Sequence, residues 1–155
     1  LVIHNISLPP NEFAGNYVDH LFTNCLNPSF HPYFEEIGHL RVSAHLYIDR
    51  EGIITQYVPL NRRAWHAGES SFDNRTCCND FSIGIELQGA DHIPYTEIQY
   101  SRLVSLTRQL QSFFPLITLD RIVGHSDISP GRKTDPGDSF DWKRYLTLLQ
   151  SGDAF

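Results

Sequence analysis

Ser82-Ile83-Gly84-Ile85-Glu86-Leu87-Gln88 is the stretch that decides the fold. Ile83, Ile85 and Leu87 alternate with Ser82, Gly84, Glu86 and Gln88, the period-2 pattern of a strand with one apolar face. Upstream, Val42, Ala44, Leu46 and Ile48 alternate in the same way with Ser43, His45 and Tyr47. Asp49-Arg50-Glu51-Gly52 then reads as a turn, and Ile53 to Val58 as a returning strand. The chain opens on a further short apolar run, Leu1 to His4. Between these, Tyr17, Leu21 and Cys25 have helical spacing within 14–25, while Asn27-Pro28 and His31-Pro32 predict irregular chain. Downstream, Thr96 with Gln99 is a capping-box signature. The helix it starts carries Leu103, Leu106, Leu110 and Phe113 and stops at Pro115. Leu119 to Gly124 is expected to be extended, and His125 to Asp138 to be a long irregular loop. A last helix from near Asp141 packs Trp142, Tyr145, Leu146 and Leu149, with Gly152 suited to its end. Strands interleaved with helices give an α/β or α+β domain around one sheet.

The 155 residues contain no repeat, linker or low-complexity run, so a single domain, 1–155, is expected. With 41% hydrophobic and 19% charged residues the chain is a packed globular protein rather than a disordered one. It starts Leu1-Val2-Ile3-His4 and contains no Met, so a short N-terminal segment is expected to be missing. Twelve basic against 18 acidic side chains leave a charge of −6, which argues against nonspecific nucleic-acid binding. No apolar run approaches the roughly 18 residues of a membrane-spanning helix. Cys25, Cys77 and Cys78 are odd in number and two are adjacent, which suits free thiols in a reducing cytosol better than a disulfide framework.

Eight histidines are many for this length. His4 follows an apolar strand directly, and His125 follows Ile122-Val123-Gly124 in the same way. Asp135 comes ten residues after His125 inside Ser129-Pro130-Gly131-Arg132-Lys133-Thr134-Asp135-Pro136-Gly137, a shaped loop able to fold back toward His125. Two imidazoles and a carboxylate make a ligand set for a catalytic zinc with one open position. The competing use of each His is to cap a strand or bond nearby backbone. His45 and His66 are rival ligand candidates, or else line or hydrogen-bond within a cleft. His20, His31, His39 and His92 read as surface residues. Glu86 stands mid-strand, where a carboxylate is costly unless it faces a cleft, and partial burial would suit it to general-base work. Its alternative is the solvated face of an edge strand. Lys133 would bring a cation near Asp135, able to stabilise an oxyanion, or would be a solvated loop residue beside Arg132. No G-x-S-x-G, H-E-x-x-H or phosphate-binding glycine loop is present, and Cys77 and Cys78 lack identified partners for nucleophilic work.

Five motifs occur in order: Val2-Ile3-His4-Asn5, His39-Leu40-Arg41-Val42-Ser43-Ala44-His45, Arg63-Ala64-Trp65-His66-Ala67-Gly68, Asn79-Asp80-Phe81-Ser82-Ile83-Gly84-Ile85-Glu86 and Arg132-Lys133-Thr134-Asp135-Pro136-Gly137. Together they resemble the zinc-dependent N-acetylmuramoyl-L-alanine amidases over nearly the whole chain, most closely the cytoplasmic branch that acts on 1,6-anhydro-muropeptides. The resemblance implies a mixed central sheet flanked by helices, the fold shared with peptidoglycan recognition proteins and phage amidases. It implies one Zn2+ held by His4, His125 and Asp135, with Glu86 and Lys133 catalytic, and so leaves His45 and His66 as cleft or scaffold residues. It places substrate contacts on Asn5, Arg41 and Trp65. It further implies a small anhydromuropeptide substrate, no nucleic-acid, membrane or obligate protein partner, and a bacterial cytoplasmic setting. One position departs: relatives often carry Arg, assigned to a peptide carboxylate, where this chain has Cys77, with Arg75 as a conceivable substitute. An amidase of intact peptidoglycan, periplasmic or phage-type, and a non-catalytic peptidoglycan-binding module are the alternatives. The Leu26 to Gly38 insertion, the free cysteines and the closer motif match favour the recycling enzyme over the first, and the three filled ligand positions argue against the second.

Overall fold

A computed structural model describes residues 1–151. The sheet has five strands: β1 (Val2–Ile6), β2 (Leu46–Ile48), β3 (Ile54–Gln56), then, after the small separate hairpin of β4 (Ser71–Phe72) and β5 (Arg75–Thr76), β6 (Gly84–Gln88) and β7 (Val123–Gly124). Its order is β3-β2-β6-β1-β7. β2, β6, β1 and β7 run parallel, and β3 pairs antiparallel with β2, so the sheet is mixed. Helices α1 (Tyr17–Phe22), α2 (Pro32–Ile37), α3 (Glu97–Phe113), α4 (His125–Ile128) and α5 (Trp142–Ser151) complete the fold.

Register assigns the two faces of the sheet. Ile3, Ile85 and Leu46 lie in one row, and His4, Glu86 and Tyr47 in the next. The first face packs on α3 and α5 through Ile3, Leu46, Ile48, Ile85 and Leu87 against Leu103, Val104, Leu110, Tyr145 and Leu149. Burying each of these large side chains stabilises the fold by roughly 1.5–3 kcal/mol. α3 starts at the Thr96–Gln99 capping box, whose reciprocal bonds are both formed. The buried Tyr145 hydroxyl meets Thr107 Oγ1 at 2.6 Å and ties α5 to α3. On the second face, α1 and α2 deliver Val18, Leu21, Phe22 and Phe34 onto Tyr47, Ala44 and Leu8. Both faces are therefore covered. β6, sequence-read as half polar, is buried at all five positions, as the central strand of a parallel sheet must be.

Several elements differ from their sequence reading. The strand expected over 42–48 forms only at Leu46–Ile48, although Ser43 and His45 still dock through backbone bonds to Trp65 O and Gly84 O. The returning strand is likewise shorter, Ile54–Gln56, and α1 spans six residues of the expected twelve. The prolines at 28 and 32 start helical turns instead of marking irregular chain. Each occupies the first helical position, where the missing N–H costs nothing, behind a cap from Asn27 and from His31 Nδ1. The stretch 119–124 opens with a 3-10 turn, Leu119–Arg121, before β7. The expected loop after it begins as α4, because the Asp127 carboxylate accepts from the Gly124 amide at 2.7 Å. Gly152 lies outside the described residues.

Candidate active site and metal centre

His4, in the middle of β1, stands beside Glu86 of β6. His125 is the first residue of α4, directly after the end of β7. Parallel pairing of β1 with both neighbours thus sets Glu86, His4 and His125 side by side across β6, β1 and the end of β7. The segment after α4 returns there, with the Ser126 amide bonding Asp135 O at 3.0 Å. Asp135 Oδ2 then lies 3.1 Å from His4 Nδ1 and 3.1 Å from His125 Nδ1. Among the described residues this is the group of acidic, His or Cys side chains arranged to hold a metal, its three donor atoms all within 4.8 Å of one another.

The partners of the remaining ring nitrogens decide whether a cation fits. His125 Nε2 is 3.0 Å from Ala67 O, which only accepts and is nearer than the Arg132 Nη2 donor at 3.4 Å, so a neutral ring carries its proton on Nε2 and offers the Nδ1 lone pair to the site. His4 Nε2 is 2.9 Å from His66 Nδ1, and His66 Nε2 is 3.3 Å from Ser82 Oγ. The Ser82 hydroxyl is donated to Cys78 O at 2.6 Å, so its oxygen accepts from His66 Nε2 and the chain of protons runs from His4 outward. His4 Nδ1 is therefore bare as well. Two lone pairs and a carboxylate oxygen converge with no proton between them, an arrangement that suits a cation and little else. Burial also keeps the His4 and His66 rings neutral: it pushes His4 down to about 4, and pushes His66 well below the usual value with neighbouring His4, His45 and His125 adding to it.

Glu86 is buried in the same row, and its Oε2 has no hydrogen-bond partner. Gln88, two residues on and facing the same way, is fully engaged: its amide donates to Phe13 O at 2.9 Å and accepts from the Arg50 amide at 3.1 Å. Burial, and then the charge of Asp135, push the Glu86 carboxyl well above its usual range, while Lys133 opposes them. Glu86, His125, Asp135, Lys133, His66 and Trp65 line one cleft of about 500 Å³. A larger groove, about 610 Å³, opens near the N-terminal ends of β1, β6 and β7, and none of these six residues lines it.

The sequence profile of N-acetylmuramoyl-L-alanine amidases matches residues 1–138. The chain belongs to this amidase family. The 1,6-anhydro-N-acetylmuramyl-L-alanine amidase AmpD of Haemophilus influenzae is 59% identical over 150 residues, spanning 97% of this chain and 82% of the relative. A crystal structure of a selenomethionine derivative of AmpD superposes with a TM-score of 0.93 at 55% identity, covering 96% of this chain and 82% of that one. The amidase AmiD from E. coli, solved in complex with the substrate anhydro-N-acetylmuramic acid-L-Ala-D-γ-Glu-L-Lys, gives 0.71 at 28% identity, over 95% of this chain and 55% of that one.

His4, His125 and Asp135 of the amidase thus come together around one point, with Glu86 and exposed Lys133 on the wall of the adjoining cleft. His45 is a scaffold residue: its Nε2 donates to Arg62 O at 2.9 Å and its Nδ1 accepts from the Gly84 amide at 3.1 Å. Trp65 is half exposed, with the Arg63 guanidinium 3.9 Å from its ring centre. Arg41 is exposed between Leu40 and Val42, which line the cleft, and bonds Leu40 O. Asn5 gives its amide N–H groups to Asp91 and to Pro136 O. Arg75 lies 4.0 Å over the Phe81 ring and lines the larger groove, as does Cys78. Sequence reasoning missed two supports. Asn79 Oδ1 accepts from the amides of His66 and Ala67 at 2.9 and 2.8 Å, and Arg132 Nη2 donates to Ala67 O at 2.6 Å. Nothing local distinguishes either residue from a polar loop side chain.

Proposed function

We propose that this amidase is a zinc enzyme. It hydrolyses the amide between the lactyl group of 1,6-anhydro-N-acetylmuramic acid and L-Ala of the stem peptide, in bacterial peptidoglycan recycling. The observation that carries the reading is the convergence of His4 Nδ1 and His125 Nδ1 on Asp135 Oδ2, in a site that also holds an unpartnered buried carboxylate. The identity to AmpD supports the anhydromuropeptide as substrate. A zinc ion held by His4, His125 and Asp135 supplies Lewis acidity and lowers the pKa of a water. Glu86, desolvated and raised in pKa, takes the proton of the attacking water and passes one to the leaving amine. Lys133 brings its ammonium to the developing oxyanion. Arg41 takes a peptide carboxylate, Trp65 packs on sugar or stem, and Asn5 contacts the substrate from β1. The setting proposed is the cytoplasm. The three cysteines are unpaired, and among the described residues no helix is long and apolar enough to cross a membrane. No nucleic-acid, membrane or obligate protein partner is required.

The test is one assay with two substrates. Purified protein is expected to carry about one zinc per chain, to lose turnover of anhydromuropeptide on chelation and to regain it with zinc. Preference for intact sacculi would reassign it to cell-wall cleavage, and a chain that takes no zinc would overturn the reading.

A further inference from the structure

One carboxylate in the cleft wall takes part in no step above. Asp91 follows β6 by three residues and uses both of its oxygens. Oδ1 accepts from Asn5 Nδ2 at 2.8 Å, and Oδ2 accepts from the Thr134 hydroxyl. Asn5 is the neighbour of His4, and Thr134 stands between Lys133 and Asp135. A single side chain therefore joins the residue beside one metal ligand to the residue beside another. The backbone of Asp91 adds to the clamp. Its carbonyl accepts from the Ser139 amide at 2.9 Å. Gly137 approaches so closely, at φ +80°, that a Cβ there would lie 2.2 Å from Asp91 Cα. Pro136 O, taking Asn5 Nδ2 at 3.1 Å and the Tyr95 hydroxyl at 2.7 Å, closes a second link at the same place.

The segment needs such a clamp. Residues 129–141 belong to no helix or strand, and Lys133 and Thr134 are exposed. No ladder or helix repays the entropy of fixing them, so a few turn bonds of the backbone and the side-chain bonds to Asp91 share that task. Asp91 lines the cleft, but with both oxygens engaged it has no lone role as an acid or base there.

We propose that Asp91 is a positioning residue, which holds the Lys133–Asp135 segment against β1 so that Asp135 meets His4 and His125 at ligand distance. The inference rests on the zinc-amidase reading and names a support of the same site. Its test is the zinc dissociation constant of the full chain, by competition with a chromophoric chelator, beside thermal unfolding of the metal-free protein. Asp91→Ala and Thr134→Val are expected to weaken zinc binding by about tenfold or more, the usual scale for lost outer-shell partners. Asp91→Asn can still accept from Asn5 through its oxygen and donate to the Thr134 hydroxyl, so it is expected to stay within about threefold of the parent. If Asp91→Ala does not fold, Thr134→Val, which removes one hydroxyl at an exposed site, carries the test alone. A parent that binds zinc, with folded variants unchanged in affinity, removes Asp91 from this role and leaves the amidase reading intact. An Asp91→Asn protein as weak as Asp91→Ala would make the effect one of charge and overturn the positioning role. A parent that takes no zinc overturns both.

Discussion

Glu86 and Gln88 share a strand, a face and deep burial, yet the amide is fully bonded and the carboxylate is not. A buried oxygen without a partner is destabilising, so Glu86 is held there against the folding free energy. The sign of its pH linkage follows. In the unfolded chain Glu86 ionises above its usual value of 4.5, whereas the folded metal-free protein keeps the proton to well above that. The folded state thus binds more protons, and stability falls as pH rises from 4.5 through the folded value. Glu86→Gln, which mimics the protonated form, is expected to stabilise the metal-free protein at pH 8 by on the order of 1 kcal/mol. At pH 4 the gain should be near zero, and the zinc-loaded variant should not turn over substrate. Chemical denaturation at the two pH values measures this, and equal stability of variant and parent at pH 8 would show that Glu86 is not desolvated. That Glu86 sits on the less bulky face of its strand is legible in the alternation of 82–88. Its burial is not, because the cover comes from helices and loops far away in the chain.

At the scale of the element, β6 shows why alternation identifies a strand but leaves its environment open. Alternation gives the strand, but a central parallel strand is buried on both sides, and the polar residues of its second face become a buried site instead of a wet surface. Gly84 makes that site possible. A Cβ there would lie 2.5 Å from His66 Cγ and Nδ1, so the missing side chain is the space in which His66 rests against β1 and receives the His4 proton. His66 has little room to retreat, since its backbone is held by Asn79 and its ring by Ser82. Gly84→Ala is therefore expected to cost about 1–3 kcal/mol of stability in thermal unfolding, as an overpacked core does. It should also weaken zinc binding by turning His66 away from His4. Unchanged melting would mean that the ring has a second resting place. The helices divide in the same way between local and distant causes. α3 is announced by Thr96 and Gln99, a signal contained within four residues. α4 is a single turn fixed by a bond from the Gly124 amide to Asp127, too short for any period to reveal.

The whole molecule brings together what the chain separates: His4 and Asp135 are 131 positions apart, and the parallel pairing of β1 with β7, together with the return of the segment after α4, makes them neighbours. Spacing could not show this; the ordered motifs of the family did. The same assembly sets the field of the cleft. The chain carries a charge of −6, and among the described residues the cleft wall holds the carboxylates Asp91 and Asp135, beside a Glu86 that keeps its proton in the metal-free protein, against Lys133 alone. Arg41 is exposed beside that wall and is not part of it. A locally positive cleft therefore depends chiefly on the metal, and a muropeptide bearing free carboxylates meets a repulsive site when the metal is gone. In the Glu86→Gln protein, which binds without turnover, zinc removal is expected to weaken anhydromuropeptide binding by about tenfold or more, since local charge governs the attraction of an anionic ligand. With zinc bound, raising the ionic strength from about 0.05 to 0.5 M should weaken binding severalfold, because the carboxylates of the stem peptide lie partly in solvent and are screened. Calorimetric titration of the four combinations separates the contributions. Affinity indifferent to both metal and salt would place recognition on apolar contact with Trp65 and its neighbours, and the charge of the cleft would then serve the reaction alone.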